Sequence, residues 1–181
     1  MIYQSGYLTT KSYDPELELY TLGYPNEEVK HGFLAFLLPD YSAVNHQQCG
    51  FHIGMFTKEL RAGEVDAFMT RLRSFFEAIP YDLNDKTERH YLVIFYLVFT
   101  LLGQYIRSEV SSARGRSDAV VETSDTVFVF EFKLNGSAEA ALAQIDEKGY
   151  LIPFQAGSKT LVKVGVEFDQ AVRNLGRWLT G

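Results

Sequence analysis

In the stretch Thr126 to Leu134, TVFVFEFKL, a strand places Val127, Val129, Glu131 and Lys133 on one face and Phe128, Phe130, Phe132 and Leu134 on the other. Both faces are apolar as far as Phe130, which predicts a central strand covered on both sides. Strands are also predicted over Tyr105 to Ser112, Arg116 to Glu122 and Thr160 to Glu167, with turns at Ala113-Arg114-Gly115 and Thr123-Ser124-Asp125. Near the start of the chain, Tyr7 to Lys11 and Leu17 to Leu22 read as two strands joined by the turn formers Asp14-Pro15-Glu16.

Helical spacing fills much of the remainder. Asn26 is placed to cap a helix from Glu27 to about Leu38, with Val29, Phe33, Phe36 and Leu37 as its apolar stripe and Pro39 as its end. Tyr41 to Gln48 reads as a polar link, followed by a helical stretch to about Leu60 and a break at Ala62-Gly63. Glu64 to Ala78 is amphipathic, with Val65, Phe68, Met69, Leu72, Phe75 and Phe76 on one side, and Pro80 to Lys86 interrupts the pattern again. Thr87 to Gln104 is expected as a long buried helix beginning with Glu88. Within it the apolar run Tyr91 to Gly103 falls short of the about 18 residues that a membrane span needs, so no membrane association is expected. Ser137 is a natural N-cap for Ala138 to Lys148, and Asp169 to Leu179 is predicted to close the chain as a helix. From residue 87 onward the expected order is αβββαβα, an α/β fold around a central mixed sheet. The hairpin and helix of residues 1–40, which show no core of their own, read as the tail of something larger, and residues 41–86 as a helical connector to a domain over 87–181.

Composition changes this picture little: 46% hydrophobic and 22% charged residues describe a folded protein of ordinary core size. A single cysteine, Cys49, excludes an intramolecular disulfide, and no basic segment followed by an apolar core opens the sequence; both lead us to expect a cytoplasmic location. The net charge of −6 argues against nucleic-acid binding by bulk electrostatics. Yet residues 111–181 hold 8 Lys and Arg against 9 Asp and Glu, so the acidic excess lies almost wholly before them.

Glu131 and Lys133 end an otherwise apolar strand, where charge is costly to bury unless it is paired or used. Asp118 stands one strand earlier, and antiparallel pairing would set it beside Glu131. Two carboxylates and an ammonium in one small volume suggest a divalent-metal site with a cationic helper.

Asp118, Glu131 and Lys133 match the D…(D/E)-x-K spacing of the PD-(D/E)XK nuclease superfamily, and the chain resembles that superfamily in the triad, the αβββαβ order and Gln144 on the following helix. The segments GRSD, FEFKL and ALAQIDEKGY look like a bacterial branch in which a nuclease-like domain follows an AAA-ATPase-like domain, and QSGYLTTKSYD and YPNEEV look like the joint between the two. No G-x-x-x-x-G-K-[ST] motif occurs, so the ATPase-like domain itself is not expected in this chain. The resemblance implies a restriction-endonuclease-like fold and a metal-dependent nuclease acting on nucleic acid, DNA ahead of RNA. It implies that Asp118, Glu131 and the Phe132 carbonyl hold Mg²⁺ or Mn²⁺ and that Lys133 assists the attacking water. Gln144 would steady the water or Lys133, and Glu88 would add a carboxylate from the first helix. Many relatives carry proline before the aspartate; here Ser117 precedes Asp118.

Each residue also has a plainer reading. Glu131 and Lys133 can be a structural ion pair, Asp118 a strand-edge acid and Gln144 a surface helix residue. Glu88 can be an acid favoured by a helix N-terminus, and Glu109 is a rival acid on the first strand of the sheet. Arg107, Arg114 and Arg116 suit either phosphate contact or a solvated edge. His46, Cys49 and His52 lack a fourth ligand and match no familiar zinc spacing. The Phe and Tyr positions of Glu64 to Ala78 read as core. A different class of function also fits the acidic charge: a nuclease-like fold kept as a binding or regulatory module for an attached ATPase.

Overall fold

The computed structural model describes residues 5–42, 44–79, 88–103, 105, 107–110, 118–134, 136–169, 171 and 174–181, with the backbone alone for 88–92 and 107–110. The turn expected at Ala113-Arg114-Gly115 and the break at Pro80 to Lys86 lie outside the described residues. In chain order the elements are β1 (Thr9–Asp14), β2 (Leu19–Gly23), α1 (Glu27–Ser42), α2 (His46–Arg61), α3 (Val65–Glu77), α4 (Glu88–Leu102), β3 (Arg107–Val110), β4 (Ala119–Glu122), β5 (Thr126–Lys133), α5 (Ala138–Glu147), β6 (Thr160–Asp169) and β7 (Asn174–Thr180).

β1 and β2 form a separate antiparallel hairpin, and β3-β4-β5-β6-β7 form a five-stranded sheet in that spatial order. Every pairing in the larger sheet is antiparallel except β5 with β6, which run parallel and are joined through α5. Such a parallel pair needs a crossover, and α5 supplies it across one face of the sheet. As the alternation predicts, Phe128 and Phe130 face one way and Val127 and Val129 the other. The Phe face meets the layer formed by α1 to α4: Phe99 lies 5.2 Å from Phe130, and Phe95 lies 4.2 Å from Phe132. One apolar cluster runs from Leu34 through α2, α3 and α4 to Val166 and Leu175. Burial on both faces is what the Val- and Phe-rich run of β5 requires.

Several expectations need correction. The helix expected over Asp169 to Leu179 is a strand, β7, paired antiparallel with β6 from Val164↔Thr180 to Asp169↔Asn174. Without β7, β6 would be an open edge, and Gly176 is a poor helix former. Contacts to α3 hold the new edge in place: Trp178 Nε1 donates to Asp66 Oδ1 at 2.8 Å, and the Arg73 guanidinium lies 4.4 Å over the indole. The helix expected to stop at Pro39 continues to Ser42. Proline there forfeits one backbone bond in the final turn, while buried Leu38 and Ser42 keep that turn packed, and Ser42 Oγ donates to the Leu38 carbonyl at 2.7 Å. The polar link over Tyr41 to Gln48 shrinks accordingly, because Asn45 already caps α2 by accepting from the Gln48 N–H at 2.9 Å. The first hairpin strands lie about two residues later than expected, and both are largely solvent-exposed.

α5 can lie close to the sheet because β6 carries glycine beneath it. A Cβ at Gly165 would stand 2.4 Å from the Ala138 carbonyl oxygen and 2.8 Å from the Leu142 nitrogen, both backbone atoms that cannot turn aside. Gly165→Ala is therefore expected to push α5 off the sheet and destabilise the fold by about 2–3 kcal/mol, lowering the thermal midpoint by roughly 5–10 °C. Thermal unfolding followed by circular dichroism checks this; an unchanged midpoint would show that the helix does not rest on this strand.

Candidate active site

The aromatic packing of Phe128, Phe130 and Phe132 leaves the opposite face of β5 turned toward α5. Glu131 and Lys133 emerge on that face at the end of the strand. In the β4–β5 register Ala119 pairs with Phe130, so Asp118, one residue earlier, stands level with Glu131. Asp118 Oδ2 accepts the Phe132 N–H at 2.7 Å, which ties the start of β4 to the end of β5.

On β6 the parallel partner of Glu131 is Gly165. The space that a side chain would fill is taken by α5, which carries Gln144 over the strand end. Ser137 sets the start of this helix, its side chain accepting the Ala140 N–H at 3.2 Å. Ala138, Ala141 and Ile145 face the sheet, and Gln144 sits at the margin of that buried stripe. Its Nε2 donates to Glu131 Oε1, and its Oε1 accepts from Lys133 Nζ. Lys133 Nζ is itself 3.8 Å from Glu131 Oε1. Gln144 thus bridges the acid and the base.

This neighbourhood is electrostatically strained. Glu131 is 3% exposed, and its Oε2 is buried with no hydrogen-bond partner. Burial, joined by repulsion from the Asp118 carboxylate, raises the Glu131 pKa to about 7, against the opposing pull of Lys133, the Asp118 backbone and Gln144. Burial also raises the pKa of Asp118, while the Phe132 N–H and Lys133 work in the other direction. A divalent cation between the two carboxylates fits this arrangement, because it would satisfy the orphaned oxygen and offset the like-charge repulsion, and carboxylate oxygens are the hard ligands that Mg²⁺ or Mn²⁺ takes. Among the described residues no group of three or more His, Cys, Asp and Glu gathers as a metal cluster, so two carboxylates are the acidic donors on hand.

One neighbour was not singled out from the sequence. Tyr150 follows Gly149, which adopts a positive φ of 63° just beyond α5. The Tyr150 N–H reaches back to the Ile145 carbonyl at 3.1 Å and the Gly149 N–H to Asp146 at 3.0 Å, the paired bonds of a Schellman turn. This folds the Tyr150 ring onto Val127, Val129 and Ile145, the same face that carries Glu131. The signal was present in the sequence, since glycine directly after a helical pattern marks such a turn.

Of the other expected residues, Phe132 packs its ring on the helical layer. Glu88 opens α4 and Glu109 pairs with Val120 through β3, but the side chains of both, and that of Arg107, are outside the described set. Arg114 and Arg116 lie outside the described residues altogether. Cys49 is buried and directs its thiol to the Val44 carbonyl at 3.4 Å, and His52 packs edge-on against Phe75 at 5.2 Å. No described helix is long and apolar enough to cross a membrane.

Comparison with known proteins agrees with this architecture. The sequence model of the PD-(D/E)XK nuclease superfamily matches residues 86–178, and the chain belongs to that superfamily. Its mixed sheet with helices on both faces is consistent with the restriction-endonuclease-like fold. Enzymes of this superfamily generally use divalent metals. A protein described as "Uncharacterized protein in vnfD 5'region", from Azotobacter chroococcum mcd 1, is 31% identical to 97% of this chain. The chain spans 36% of the length of that relative. No solved structure matches it.

The raised pKa of Glu131 has a measurable consequence. A carboxyl that holds its proton more tightly in the folded than in the unfolded chain stabilises the fold at low pH. That contribution is complete below about pH 4.5 and is lost as pH rises through about 7. With a chelator present, the thermal midpoint of the native protein measured against Glu131→Gln is expected to fall between pH 5 and pH 8. Taking the difference between the two proteins cancels His52, whose lowered pKa acts in the opposite sense. A difference that stays flat across this range would show that Glu131 carries no such strain.

Proposed function

We propose that this chain is a metal-dependent nuclease that hydrolyses phosphodiester bonds of DNA, with RNA the less favoured substrate. The observation that carries the reading is the convergence of Asp118, Glu131, Lys133 and Gln144 at the end of β5, two of them carboxylates in mutual repulsion, Glu131 buried and Asp118 half-buried. In this reading Asp118, Glu131 and the Phe132 carbonyl hold Mg²⁺ or Mn²⁺. When bound, the ion would polarise the scissile phosphate and lower the pKa of a water. Lys133 orients the attacking water and offsets the negative charge that builds on the phosphorus oxygens. Gln144 keeps the Lys133 ammonium at the strand end by accepting a hydrogen bond from it and restrains Glu131 with its amide N–H. Glu88 adds a further carboxylate from α4.

The chain is also read as part of a longer protein: residues 1–40 as the tail of a preceding ATPase-like domain, residues 41–86 as a helical connector and residues 87–181 as the nuclease-like domain. The greater length of its relative supports the first part of this reading, that the chain belongs to something longer.

Incubation with Mg²⁺ or Mn²⁺ and single- and double-stranded DNA and RNA is the direct test. Metal-dependent cleavage is expected, with Asp118→Ala and Lys133→Ala each lowering the rate by about 10²-fold or more. Calorimetry is expected to show Mn²⁺ binding that Glu131→Ala abolishes. Cleavage that survives both rate-lowering substitutions would sink the assignment. The absence of both cleavage and metal binding would favour instead a binding or regulatory module for the ATPase, the reading suggested by the net charge of −6.

A further inference from the structure

Lys133 has a neighbour that carries no side chain. Gly136 lies between the end of β5 and Ser137, the N-cap of α5, and is exposed. Its φ is outside the left-handed region, so no left-handed turn demands glycine there. A Cβ at Gly136 would meet Lys133 before anything else, with Cβ at 3.3 Å, Cγ at 3.5 Å and Cδ at 3.8 Å. We propose that Gly136 is a positioning residue of this site: its bare Cα leaves open the lane along which the Lys133 stem carries its ammonium to Gln144 and Glu131.

The contact at the root of the side chain decides the outcome. Two carbons rest about 3.5–4.0 Å apart, and 3.3 Å is closer than that. The backbone sets the place of the Lys133 Cβ, so no rotation about χ1 relieves this contact. Lys133 pairs with Glu167 as the last rung of the β5–β6 register, and Asp118 holds the N–H of Phe132 directly before it. Gly136 is confined from the other side. Leu134 packs against the main core, the Ser137 carbonyl accepts the Ala141 N–H at 3.1 Å, and Ala138 is fully buried. With both backbones held, an added methyl group is met by a small retreat of the lysine root and by a turn of Cγ and Cδ, the movable part of the stem. Nζ sits at the end of that stem, bonded to the Gln144 amide oxygen and 3.8 Å from Glu131 Oε1. A turn that clears the methyl therefore draws the ammonium off Gln144. The same change does not weaken the fold, because alanine lowers the chain entropy of the unfolded state wherever the folded backbone accepts it.

The catalytic consequence rests on the nuclease reading; the placement of the lysine stem does not. The test uses the full chain with Gly136→Ala, Lys133→Ala and the double variant. In ¹³C- and ¹⁵N-labelled protein two sets of signals are followed: the Lys133 Cε signal, assigned by its loss in Lys133→Ala, and the Gln144 side-chain amide signals, assigned by their loss in Gln144→Ala. Both are expected to shift in Gly136→Ala while the thermal midpoint stays level or rises. An unmoved Lys133 signal overturns the proposal whether or not the protein cuts nucleic acid. A lowered midpoint would make Gly136 a requirement of the fold and overturn it as well. In metal-dependent DNA cleavage, Gly136→Ala is expected to lower kcat about three- to tenfold with KM unchanged, as for an ammonium misplaced by under about 1 Å. The double variant is expected to be no slower than Lys133→Ala, since no ammonium is left to displace. A raised KM at constant kcat, or losses that multiply in the double variant, would show that Gly136 acts on something other than Lys133 and overturn it. If the native protein cuts no substrate, the nuclease reading fails and the Lys133 and Gln144 signals alone decide the placement.

Discussion

Two carboxylates share one end of an apolar strand, and the surrounding structure answers to that repulsion. Glu131 is buried with one oxygen unpartnered, and Asp118 faces it from the next strand. A strand built only for packing would place another Val or Phe here, as β5 does at its four preceding positions. Buried charge is costly even when partly paired, so its retention is an argument for use. Lys133 and Gln144 reduce the strain without removing it, and a site that remains short of positive charge is one suited to receive a cation.

The helical layer and α5 have different tasks in meeting this demand. The Phe ladder of β5 against Phe68, Phe95 and Phe99 anchors the strand from behind. A strand fixed in that way presents Glu131 and Lys133 in fixed directions, since a slip of one residue would exchange the two faces. α5 acts from the front, and it does so at close range only because Gly165 clears its path. Rigid support on one face and close approach on the other together define where the polar side chains meet.

Much of this was legible in the sequence. The two-sided apolar run of Thr126 to Leu134 announced a central strand, and its charged end marked where polar side chains gather, because periodicity and burial cost are local properties. Ser137 before an Ala-rich stretch marked the start of α5 for the same reason. What was not legible depended on distant partners. Residues 174–180 take their strand form from pairing with β6 and from Asp66 and Arg73 on α3, far away in the chain. Pro39 lies inside α1 because the burial of Leu38 and Ser42 outweighs the rule that proline ends a helix. Tyr150 was passed over although Gly149 directly before it marks the turn that folds its ring onto Val127 and Val129.

The crossover from β5 through α5 to β6 also bears on how the molecule comes together. Glu131, Lys133 and Gln144 lie within 14 consecutive residues, and Tyr150 follows six residues later. Bringing these groups together closes only a short loop, so little chain entropy is lost at that step. Asp118 joins through the adjacent antiparallel pairing, whereas β7 must find α3 across about a hundred residues. The polar centre therefore belongs to the low-contact-order part of the fold, and the long-range closure of α3 on β7 belongs to the slow part. A nascent chain can shape this polar corner before the rest of the sheet has acquired its final edge.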